Sequence, residues 1–149
     1  MADQTPGELI YVSWGGTGRG AALRAAYEQA AEAGQTITYL AILDPPNFAD
    51  LDKGLLDLVV QELEWLLNAH MRTVAEASSK QVASTRVVVR TGGVDDVVET
   101  LARDTGATAI VLGAPIAVAG ASAEELLQAL RVRTGVDVSI ADPDASPLR

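Results

Sequence analysis

The sequence predicts a single-domain α/β protein built on a parallel sheet with helices on both faces. Three observations lead there. Residues 108–113 form a short run, apolar on every side, that stops at Gly113 and lies between two helical patterns; that is how a buried central parallel strand reads. Strand-like and helix-like patterns alternate along the whole chain, which implies right-handed crossovers. At 149 residues, with neither a second domain nor a tandem repeat in view, one core accounts for the chain.

The elements follow in order. Residues 1–7 contain Pro6-Gly7 and are expected to be flexible. Glu8 to Ser13 is strand-like in its β-branched and aromatic content. A glycine-rich turn, Trp14 to Gly20, leads into an alanine-rich helix whose Leu23, Ala26, Tyr27 and Ala30 fall on one face, with Gly34 as its stop. Thr36 to Leu43 is a second strand, closed by Asp44-Pro45-Pro46. A long helix is predicted from about Lys53 to Lys80. Leu56, Val59, Leu63, Leu66 and Val74 build its apolar face, and Val60, Leu67 and Met71 widen it. Trp65 is assigned to core or interface. Thr85 to Thr91 is a third strand and Gly92-Gly93 ends it. The helix from Val94 to Thr105 opens with Asp95 and Asp96, where the dipole favours negative charge. Ser122-Ala123-Glu124-Glu125 has the form of a capping box for a helix to about Val132. Val136 to Ala141 is a last strand with Asp137 and Ser139 on one side, and residues 142–149 read as a flexible tail. The folded domain is therefore expected over residues 8–141.

Composition excludes several functions. The absence of cysteine removes disulfides and thiolate metal sites, and a single histidine, His70, leaves no histidine cluster. A net charge of −9 argues against a dedicated nucleic-acid binder. No apolar run approaches the ~20 residues of a membrane span. The N-terminal residues lack a basic region and an apolar core, so no secretory signal and a cytoplasmic location are expected. Asp44 and Asp50-Leu51-Asp52 read as solvated loop acids, and no metal site is expected. No nucleophile with a base and no paired carboxylates emerge, so an enzyme reading lacks catalysts.

In an open α/β sheet, ligands gather beyond the carboxyl ends of the strands, which directs attention to Trp14-Gly15-Gly16 and Gly113-Ala114. The spacing Gly16-x-Gly18-x-Gly20 matches neither a Walker loop nor a dinucleotide fingerprint. It reads first as a strand-to-helix turn. The second reading is an anion site at the helix N-terminus, served by Arg19 and Arg24.

The order and spacing of Tyr11-Val12-Ser13-Trp14-Gly15-Gly16, the alanine-rich helix ending Ala33-Gly34, Val88-Val89-Arg90-Thr91-Gly92-Gly93-Val94 and Gly106-Ala107-Thr108-Ala109-Ile110-Val111-Leu112-Gly113 resemble the universal stress protein family over about residues 8–141. The resemblance implies a doubly wound, adenine-nucleotide alpha-hydrolase-like sheet of order 3-2-1-4-5 and a role in stress tolerance or signalling. It also implies a homodimer along the last strand, here Val136, Val138 and Ile140. Many members bind ATP or AMP at the ends of the first and fourth strands. If that capacity is retained here, the resemblance points to Trp14, Gly15, Gly16, Arg19, Ile42, Gly113 and Ala114.

The sequence departs from the family's nucleotide motif. Trp14 stands where ATP-binding members carry an aspartate. Gly113 matches the first glycine of their phosphate loop, but Ile116 and Leu126 replace the next two. Residues 114–121 are apolar, without lysine, arginine or serine, and Pro115 removes an amide donor. Trp14 suits two roles, a plug in a vacated nucleoside cleft or a stacking surface for a flat ligand, and the plug is preferred. The expectation is a non-catalytic stress-response or regulatory module with a degenerate nucleotide site, no cofactor, and an unidentified protein partner. The alternative is a sensor that still binds ATP, AMP or another small ligand.

Overall fold

The computed structural model describes residues 7–13, 20–43, 53–91, 94–113 and 122–141. Its elements, in chain order, are β1 (Glu8–Ser13), α1 (Gly20–Ala33), β2 (Thr36–Leu43), α2 (Lys53–Ala77), β3 (Ser84–Thr91), α3 (Val94–Thr105), β4 (Ala109–Gly113), α4 (Ser122–Thr134) and β5 (Asp137–Ala141). The strands form one sheet in the order β3-β2-β1-β4-β5, and every pairing is parallel. This is the doubly wound architecture and strand order expected from the sequence. The assigned ends 1–6 and 142–149 lie outside the described residues.

β1 is the centre. All six of its residues are buried, and alternation sends them to two cores. Leu9 and Tyr11 join Leu23, Tyr27, Met71 and Val111 under α1 and α2. Ile10 and Val12 join Val98, Ile110, Leu112, Leu130 and Val138 under α3 and α4.

Helix ends explain the boundaries. Gly34 has φ 68°; its N–H donates to the Ala31 carbonyl and the next N–H, of Gln35, to that of Ala30. This Schellman pattern needs a left-handed residue and so favours glycine. Gly106, φ 69°, plays the same part after α3, with Ala107 N–H donating to Ala102. α2 stops at Ala77, short of the expected Lys80: the Ser78 N–H donates to the Ala75 carbonyl three residues back, and its hydroxyl takes the Val74 carbonyl at 2.9 Å. α4 runs on to Thr134, whose hydroxyl donates to the Leu130 carbonyl, before Gly135 ends it.

Polar contacts fasten the amino ends of the strands. Glu8 is buried; its carboxylate accepts from the Thr38 hydroxyl and lies 3.8 Å from Arg86. Gln35 Nε2 donates to Thr108 Oγ1 at 2.9 Å. Arg133 ties α4 to α3 through Asp95, Asp96 and Glu99 at 2.6–2.8 Å. Asp95 and Asp96 thus serve as ion-pair partners as well as dipole complements.

The expected apolar face of α2 needs correction. Leu67, Met71 and Val74 are buried, with Val60 and Leu63 packed beside them, but Leu66 and Trp65 are exposed. The helix carries two apolar stripes, and only one meets the sheet. β5 begins at Asp137, one residue after the expected Val136; Val138 is fully buried, Val136 and Ile140 pack on the same core, and Asp137 and Ser139 are left outward.

Truncation of the fully buried Leu112 to alanine is expected to cost about 2–5 kcal/mol. The same change at exposed Val132 is expected to stay within about 0.5 kcal/mol. Urea unfolding of the two variants checks the contrast.

Candidate functional site

β1 connects through α1 to β2 on one side of the sheet, and β4 connects through α4 to β5 on the other. The topological switch point therefore falls between β1 and β4, where Ser13 and Gly113 end their strands.

Tyr11 fills the floor beneath this point. It pairs in register with Val111, and its phenol reaches forward on the same face to Gly113. A Cβ on Gly113 would lie 2.6 Å from Tyr11 Oη and 3.1 Å from the Val12 carbonyl oxygen. A side chain there would force Tyr11 or the β1 backbone to shift, which is a packing reason for glycine. Tyr11 meets Tyr39 of β2 edge-on, with centroids 5.2 Å apart and planes at 64°. Such a pair contributes roughly 0.5–1.5 kcal/mol beyond burial.

The two phenols are chemically quiet. Burial, reinforced by neighbouring Tyr39, pushes the Tyr11 phenol well above its ordinary range. Burial also raises that of Tyr39, against a hydrogen bond with Ser13 that lowers it. Both stay protonated at neutral pH, which suits neither a base nor a nucleophile. Tyr27, equally buried, donates to Gln81 Oε1 at 3.2 Å, whereas Tyr11 Oη is the buried side-chain polar atom without a hydrogen-bond partner among the described residues.

Of the site residues expected from the sequence, Trp14, Gly15, Gly16, Arg19 and Ala114 lie outside the described residues. Gly113 sits at the switch point. Ile42, near the end of β2, is half-buried and packs into the α3/α4 core. Sequence reasoning missed Tyr11 and Tyr39 as site-floor residues; the signal was two tyrosines in adjacent strands, readable only once the register Tyr11↔Tyr39 is known. A separate groove of about 340 Å³ lies between the end of β3 and α3, among Arg90, Thr91, Thr100 and Asp104, and draws nothing from β1 or β4. Among the described residues no cluster of three metal-ligating side chains occurs, and no helix is long and apolar enough to cross a membrane.

The universal stress protein family model matches residues 12–130, most of the chain. The protein belongs to that family. Solved structures share its fold. The universal stress protein UspA from Lactobacillus plantarum is 16% identical with a TM-score of 0.67, covering 94% of this chain and 100% of its own. A universal stress protein from Burkholderia pseudomallei is 22% identical with a TM-score of 0.62, covering 90% and 94%. The universal stress protein from Archaeoglobus fulgidus in complex with dAMP is 16% identical with a TM-score of 0.58, covering 91% and 97%. No curated protein sequence matches the chain.

Gly113→Ala is expected to destabilise by about 1–3 kcal/mol through overpacking. Tyr11→Phe alone is expected to stabilise by up to about 1–3 kcal/mol, since it removes an unsatisfied buried hydroxyl, and to recover part of the Gly113→Ala loss in the double variant; a denaturation cycle measures the coupling. The raised phenols also set a pH dependence. The unfolded chain loses these protons near pH 10 while the folded one holds them, so stability is full below about pH 10 and falls as pH rises beyond it. Tyr11→Phe is expected to flatten that fall, as read by urea unfolding on either side of the transition.

Proposed function

We propose that this stress-response-family module is non-catalytic and regulatory, and that its nucleotide site has degenerated. The observation that carries the reading is the Tyr11–Gly113 contact. The one loop glycine that the chain shares with nucleotide-binding members has a packing reason to be glycine, so its presence is no evidence for a phosphate. The other motif positions point the same way: Trp14 replaces the aspartate, Ile116 and Leu126 replace the later glycines, and 114–121 offers no cation.

A second reading is an adenine-nucleotide sensor. Two observations favour it: the Archaeoglobus fulgidus relative was solved with dAMP, and the unpartnered Tyr11 hydroxyl sits beneath the same strand ends.

Thermal unfolding with and without millimolar ATP or AMP and magnesium separates the two. A ligand a hundredfold above its Kd adds about 2.7 kcal/mol, a rise of roughly 5–10 °C at this length. No shift is expected. A shift of that size favours the sensor, and its loss in Arg19→Ala would assign the anion contact.

A further inference from the structure

β3 is one of the sheet's two edges and the longer of them, eight residues against five in β5. All eight, Ser84 to Thr91, pair in unbroken register with β2. Neither proline nor bulge interrupts the strand. Every second residue therefore turns its N–H and C=O outward, without a ladder partner among the described residues.

Alternation sorts the side chains. Val87 and Val89 face the α1/α2 core, while Arg86, Val88 and Arg90 face the α3/α4 side. Both arginines are exposed and Val88 is buried between them. β3 holds no acidic residue, on a chain with 11 basic and 20 acidic residues. Arg90 carries the uncompensated charge. Its guanidinium donates to the Val89 carbonyl at 3.2 Å and makes no ion pair among the described residues. It lines the groove of about 340 Å³ beside α3, which leaves a carboxylate room to reach it. Of the two acids in that groove, Asp96 is held by Arg133 at 2.8 Å. Asp104 lies eight residues further along α3, about 12 Å from Asp96. Arg86 is partly compensated: Glu8 lies 3.8 Å away, yet 52% of the arginine side chain is exposed.

We infer that the β3 edge is a docking strand for an extended acidic segment of a partner protein, one with carboxylates two residues either side of an apolar residue. Main-chain hydrogen bonds supply the contact and alternate side chains the selection. Centred on Val88, the segment sets one carboxylate opposite Arg86 and another opposite Arg90, where cross-strand Cβ atoms are about 4.5–5.5 Å apart. The pattern reads the same in both directions, so it serves a parallel or an antiparallel strand. The arginines also select against a second copy of this chain. Two β3 strands paired about Val88 would set arginine opposite arginine, and like charges directly opposite destabilise pairing. The inference goes beyond the regulatory reading and holds whether or not nucleotide binds.

Fluorescence anisotropy tests it with a short, capped, labelled peptide that carries glutamates two residues either side of a valine, with threonines between. Saturable binding below about millimolar protein is expected. Arg90→Glu, an exposed change, is expected to weaken it about fivefold or more. A peptide with lysines for the glutamates is expected to bind Arg90→Glu more tightly than the unaltered protein, which a general loss of folding would not produce. N-methylation of the peptide's backbone amides is expected to abolish binding, and amide exchange within 84–91 to slow when the peptide binds. No binding up to millimolar concentration overturns the inference. So does binding that survives N-methylation or ignores Arg90→Glu. Concentration-dependent protection of 84–91 without peptide also overturns it, because a second copy would then occupy this edge.

Discussion

The contact between Tyr11 and Gly113 governs the carboxyl end of the sheet. A phenol in the middle of the most buried strand fixes what the neighbouring strand can carry at its end, since a Cβ two residues past the paired Val111 would overlap the ring oxygen. The same phenol stacks edge-on against Tyr39, so the floor beneath β1, β2 and β4 is one aromatic unit. Its cost is a hydroxyl without a hydrogen-bond partner among the described residues, of order 1–3 kcal/mol for a buried polar group. The burial that leaves the hydroxyl unmatched also keeps it protonated.

Much of the fold was legible in the chain because the signals were local. The run ending at Gly113, the Gly34 stop and the acidic first turn of α3 each depend on a few adjacent residues, and these features formed where their residues predicted. The single family resemblance supplied the strand order, which alternation alone leaves open. The errors are of another kind. Periodicity places Leu66 on the core face because α2 carries apolar residues on two sides, and it cannot tell which stripe meets the sheet. It leaves Trp65 between core and interface for the same reason, and exposure removes the first option.

The site was legible only in part. Gly113 stood out as a strand-ending glycine, yet its meaning depends on Tyr11, about a hundred positions earlier in the chain and brought to it by register. A glycine shared with nucleotide binders thus has a packing explanation of its own, visible only once its partner side chain is known. Burial separates the molecule's two surfaces in the same way. β5 turns Val138 and Ile140 inward, whereas α2 exposes Leu58, Trp65 and Leu66.

Equilibrium dialysis of labelled ATP with magnesium against the protein, both at high concentration, is the direct test of a degenerate nucleotide site. Equal ligand on the two sides of the membrane is expected. Retention approaching one nucleotide per chain, abolished by an excess of unlabelled ATP, would contradict it.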